Sequence, residues 1–185
     1  MRSVARVLLA VGLVVANDAG AKPKRSDIDT RYLIGTAINC VDALSPHLGD
    51  KPPEILDRIC GCEVDFLRRE RLAGRPADKI LAGQQTTEVC ADFGLAKPAA
   101  AEEASPFSKG LKHRSVLVIR AYAGCYRDLL AAKRSEKQAA DVCICLIDDV
   151  RKGKPVPDVA KALLTVPKKA VDACLSSAGV PPLAR

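Results

Sequence analysis

The chain carries Cys-x-Cys twice, as Cys60-Gly61-Cys62 and Cys143-Ile144-Cys145, each time with one further cysteine on either side. Three chemistries use thiols at this spacing: dithiol redox exchange, metal ligation and structural disulfides. Redox exchange needs an exposed thiolate of lowered pKa, most readily at a helix N-terminus. A metal needs ligands that converge on one point. Both pairs are expected in mid-helix rather than at an N-terminus. On a helix, residues two apart project roughly 200° from each other, so they neither bond each other nor converge on one metal while the helix is intact. Each cysteine of the pair reaches a different neighbour instead. The expected chemistry is therefore stapling, with all eight cysteines in disulfides.

The elements that position these thiols follow from the spacing. The cysteines fall at 40, 60, 62 and 90, and again at 125, 143, 145 and 174, with successive offsets of 85, 83, 83 and 84. Asp65 with Asp148, Arg68 with Arg151, Leu67 with Val150 and Ile59 with Val142 keep that register. This predicts an all-α fold of two duplicated three-helix units, residues 22–94 and 116–185, joined by a linker over 95–115. In the first unit, helices are expected from Ser26 or Asp27 to about Ser45-Pro46, from Pro53 to Gly74, and from Asp78 to Gly94. In the second they are expected over 115–133, 136–152 and 158–178, the last kinked or split by Pro167.

The middle helix of each unit should be bridged to both neighbours. Matching levels along the helices favours Cys40–Cys60, Cys62–Cys90, Cys125–Cys143 and Cys145–Cys174. Cys40–Cys62 with Cys60–Cys90 shifts the levels by only about 3 Å and stays open. Loops of about 20 to 30 residues each add roughly 3–4 kcal/mol in the chain-entropy account, a large share for units with small cores.

The first 21 residues read as a secretory signal: basic Arg2 and Arg6, an apolar stretch Val7 to Ala16, and Ala19-Gly20-Ala21 as the cleavage site. Ten helical residues span roughly 15 Å, half a bilayer core, and no later stretch is apolar enough to cross one. Export to a periplasmic or extracellular compartment fits the cysteine content. The formal charge of +7 favours acidic partners. With no Trp, three Tyr and three Phe, the chain is poorly supplied for stacking on sugars or unpaired bases, and nucleic acid is not an expected partner.

Catalytic patterns find no foothold. There is no Gly-x-Ser-x-Gly, no phosphate-cradling glycine loop and no His-Glu-x-x-His. His47 and His113 are isolated and are expected in solvated loop or linker positions. Asp65 and Asp148 each precede a basic residue by three positions, as surface helical ion pairs do. No catalytic residue, cofactor or metal is expected. The basic clusters are the feature in excess: Arg68, Arg69, Arg71 and Arg75 at the end of one middle helix, Arg151, Lys152 and Lys154 at the other. One or two charges would suffice to complement a helix C-terminus. The expectation is an exported, non-enzymatic binding protein whose partner is a protein or an anionic envelope component, with these seven residues as anionic contacts. Carriage of a small apolar ligand ranks second, and thiol–disulfide exchange a distant third.

Overall fold

The computed structural model describes residues 27–49, 51–75, 84–96 and 104–181. The signal-like stretch 1–21, the start of the expected third helix and residues 97–103 of the expected linker lie outside them. Among the described residues the chain is all-helical, with seven helices and no strands: α1 (Thr30–Leu48), α2 (Pro53–Leu72), α3 (Gln84–Leu95), α4 (Ser115–Ala131), α5 (Glu136–Lys152), α6 (Val159–Leu163) and α7 (Lys168–Ser177). The chain divides into two compact units, Met1–Val116 and Leu117–Arg185.

In the first unit α2 packs against both α1 and α3. The bridges follow this arrangement. Cys60 joins Cys40 of α1 across a Cα separation of 5.7 Å, and Cys62 joins Cys90 of α3 across 5.5 Å. The core around them is built from Cys40, Leu44, Leu48, Ile59, Cys60, Cys62 and Cys90. The second unit repeats the pairing, with Cys125–Cys143 between α4 and α5 and Cys145–Cys174 between α5 and α7. Its core cluster holds Val142, Leu175 and Val180, with Leu129, Leu146 and Val171 packed on it.

Helix ends follow local chemistry with three departures from expectation. The cap of α1 is Asp29, whose Oδ1 accepts from the Tyr32 N–H at 2.8 Å, because Asp27 is engaged elsewhere. The same helix runs through Pro46 to Leu48. Ser45 Oγ donates to the Val41 carbonyl at 2.8 Å, and burial of Leu48 in the core holds the last turn. Gly94 does not stop α3 by adopting positive φ. It permits contact: a Cβ placed there would lie 2.1 Å from Ile59 Cγ1. The end of α3 is capped instead by Arg58, whose Nη2 and Nη1 donate to the Phe93 and Ala96 carbonyls, each at 2.7 Å. The same guanidinium lies 4.8 Å from the centroid of the Phe93 ring.

Other ends agree with the sequence. Gly74 (φ 77°) closes α2, with Arg75 N–H donating to the Glu70 carbonyl at 3.1 Å and Gly74 N–H to Arg71 at 2.9 Å. Gly179 (φ 66°) closes α7 in the same way, which brings Val180 onto Leu175. Pro167 separates α6 from α7. It has no N–H to give the Leu163 carbonyl, which accepts from Val166 N–H at 3.3 Å instead. Ser135 and Gln138 form a reciprocal capping box at the start of α5.

The stretch after α3 departs most from its sequence reading as a linker. Its described part, 104–115, is folded onto the first unit, with Ser105, Ser108, His113 and Ser115 all buried. Phe107 meets Phe66 of α2 edge-on, their centroids 5.1 Å apart. On the opposite side of α2 from solvent, Gly61 lets the backbone of Val116 approach, since a Cβ would lie 2.9 Å from Val116 N.

Candidate functional site

The seven basic residues expected to form an anionic contact have different fates. Arg68 is fully buried. Its Nε and Nη2 donate to the two carboxylate oxygens of Asp27 at 2.8 and 2.5 Å. Nη1 donates to the His113 carbonyl at 2.5 Å and to Ser115 Oγ at 3.0 Å. Asp65 completes the group. Its Oδ1 lies 3.6 Å from Arg68 Nη1 and accepts from the Ser115 N–H at 2.9 Å, while Oδ2 accepts from Ser105 Oγ at 2.8 Å. Burial pushes the Asp65 carboxyl up, against the Ser115 and Ser105 hydrogen bonds and the Arg68 charge, which pull it down.

Arg68 is therefore corrected from a surface contact to a structural clamp, and Asp65 from a surface ion pair to its buried partner. The reason is the folded 104–115 stretch, which covers this side of α2 and supplies the polar groups that a buried guanidinium demands. His113 is corrected with it, from solvated to buried. His47 is exposed, as expected, although on α1 rather than in a loop.

Arg69 and Arg71 remain exposed at the end of α2. Arg75 is exposed as well but turns back to Glu70, with 2.9 Å between Nη1 and Oε2. The first unit's cluster is thus reduced from four charges to two that lack a carboxylate partner among the described residues.

In the second unit Arg151 is half-buried, and Lys152 and Lys154 are exposed. Lys152 Nζ lies 2.6 Å from Asp148, whose hydrogen bond and charge raise the lysine pKa. Asp148 thus pairs with Lys152, four residues on. Charge over the whole unit is more informative than either cluster. Leu117–Arg185 holds twelve Lys or Arg against seven Asp or Glu, a formal +5, whereas Met1–Val116 holds seventeen against fifteen, a formal +2. The excess extends beyond the end of α5 to Lys161, Lys168 and Lys169, all exposed. A count taken unit by unit would have found it; attention to clusters of adjacent residues missed it.

The thiols are staples in this arrangement. All eight cysteines are disulfide-bonded, and six of them are buried, Cys125 and Cys145 being half-buried. Among the described residues, no three His, Cys, Asp or Glu side chains gather as metal ligands, and no helix is long and apolar enough to cross a membrane. No protein-family model matches the chain, and no curated protein or solved structure shows significant similarity to it.

Proposed function

We propose that this chain is an exported, non-enzymatic binding protein whose basic second unit makes an electrostatic contact with an anionic component of the cell envelope. The observation that carries this reading is the concentration of positive charge on Leu117–Arg185, with Lys154, Lys161 and Lys169 exposed and, among the described residues, in no ion pair. Two staples tie α4 and α7 to α5; Lys169 lies on α7, Lys154 just beyond the end of α5, and Lys161 on α6, which packs against α5. Buried cystines and four intra-unit bridges suit an oxidising compartment.

Contacts of this kind weaken as salt rises, because exposed charges are screened over about 8–10 Å at 0.1–0.15 M. The test is binding to phosphatidylglycerol-containing vesicles and to soluble polyphosphate at increasing ionic strength. Combined Lys154→Gln, Lys161→Gln and Lys169→Gln should weaken both interactions by more than tenfold at low salt, taking each charge as about 1 kcal/mol. Arg69→Gln with Arg71→Gln should weaken them less. Wild-type protein that binds neither probe at low ionic strength sinks the reading.

A further inference from the structure

The turn between α6 and α7 carries the most exposed large apolar side chain of the described structure. Leu164 is 86% exposed, whereas Ile38, Val89, Leu95 and Leu130 lie between 36% and 44%. Its neighbours divide by side: Val159 is buried, Leu163 and Val166 are half-buried, and Lys161, Thr165, Lys168 and Lys169 are exposed. Leu164 is therefore the apolar residue this turn leaves to water, while Val159 is buried in full and Leu163 and Val166 in part.

The outward position of Leu164 is held by the backbone. Leu164 N–H donates to the Lys161 carbonyl at 3.2 Å, Thr165 N–H to Ala162 at 3.0 Å, and Val166 N–H to Leu163 at 3.3 Å. Thr165 Oγ1 adds a bond to the Ala162 carbonyl at 2.9 Å. Pro167 then fixes the entry to α7. Three lysines rim the turn within five residues of Leu164. Asp172 pairs with Lys168, and Asp158 is occupied in capping α6 through the Lys161 N–H at 2.9 Å. That leaves the ammonium groups of Lys161 and Lys169 without an ion pair among the described residues.

We infer that the Leu164 turn is an apolar anchor that enters the interface of an anionic phospholipid bilayer while Lys161 and Lys169 meet the headgroups. The inference rests on the electrostatic reading above and names its target. A water-soluble polyanion offers nothing to a projecting leucine, whereas a lipid surface offers anionic groups at the level of the lysines and an apolar layer just beneath. One leucine gives weak, reversible seating, suited to a protein that already has a +5 unit to draw it to the surface.

The chain has no Trp, so Leu164→Trp installs a single indole reporter. Its emission should shift to the blue on vesicles of phosphatidylglycerol and phosphatidylcholine, and should not move with polyphosphate or pure phosphatidylcholine. Leu164→Ser should bind the mixed vesicles about tenfold more weakly, because it withdraws roughly half of a leucine's full burial, and should bind polyphosphate as wild type does. Because the side chain is exposed, both variants should retain the wild-type melting temperature. If the protein binds mixed vesicles while the L164W indole stays in water, or if L164S binds them like wild type, the anchor is overturned and the electrostatic reading stands. Binding to polyphosphate but not to vesicles likewise overturns the anchor alone. Binding to neither probe removes both.

Discussion

The guanidinium of Arg68 meets the carboxylate of Asp27 edge to edge, with two parallel hydrogen bonds of 2.8 and 2.5 Å across 41 residues of sequence. Arg69, the next residue, points into water. Adjacent arginines on one helix project roughly 100° apart, and that rotation separates a structural charge from a surface one. Arg68→Gln leaves two carboxylates facing a covered site without their cation and should cost about 3 kcal/mol, since removal of one partner from a buried pair strands the other. Arg69→Gln should change stability by no more than about 0.5 kcal/mol. Urea unfolding without reductant compares the two, and equal effects would refute the clamp.

Two helical glycines should respond oppositely to alanine. Gly35 in α1 has nothing within 4 Å of its missing Cβ, so Gly35→Ala should stabilise by about 0.5–1 kcal/mol through helix propensity. At Gly94 the same propensity gain is overwhelmed by a contact of 2.1 Å with Ile59 Cγ1. Gly94→Ala should destabilise by about 1–3 kcal/mol. In an Ile59→Ala background the penalty of Gly94→Ala should largely vanish, and a double-mutant cycle measures this directly.

Glu63 lies one turn beyond the buried Ile59 on α2, in the position whose counterpart in the second unit is Leu146, a residue packed against that unit's core. Among the described residues it has no hydrogen-bonding or charged partner, and burial raises its pKa from 4.5 to about 7. A carboxyl whose folded pKa exceeds its unfolded value binds protons more tightly in the native state. Its effect is absent below about pH 4.5 and becomes a growing destabilisation as pH rises to about 7, reaching roughly 3 kcal/mol. Glu63→Gln should therefore raise stability by about 2 kcal/mol at pH 8 and by less than 0.5 kcal/mol at pH 4. A variant whose gain is the same at both values would show that Glu63 is solvated.

The bridges 40–60 and 62–90 lie wholly before residue 109, and 125–143 and 145–174 wholly after it. A protease site built into the exposed Lys109-Gly110 turn should give two fragments with no covalent link. In buffer they should co-elute, because His113 and Ser115 on the second fragment remain bonded to Arg68 and Asp65 on the first. In urea they should separate without reductant. Fragments that stay joined until reduced would contradict the pairing, and fragments that part in buffer would contradict the folded 104–115 stretch.

Much of the architecture is legible in the sequence because it depends on local period and spacing. Cys60 and Cys62 project to opposite sides of a helix wherever that helix lies, so each had to find a separate partner. The two pairings that remained differ by only about 3 Å in level, and the packing of the helices decides between them. Gly74, Gly179 and Pro167 act through their own backbone geometry, and the helix boundaries they set agree with the structure.

Solvation is different, because it depends on what the rest of the chain lays over a residue. By type and place in the chain Asp65, Arg68 and His113 read as surface groups, yet contacts spanning 40 to 50 residues bury Asp65 and Arg68 under the stretch 104–115, and His113 within it. Those contacts also took Asp27 from the cap of α1 and turned a linker-like composition into folded structure. The same limit applies to Gly94, which reads as a helix stop until Ile59 is placed against it. Periodicity determines which way a side chain points, and only tertiary packing decides whether water is still there.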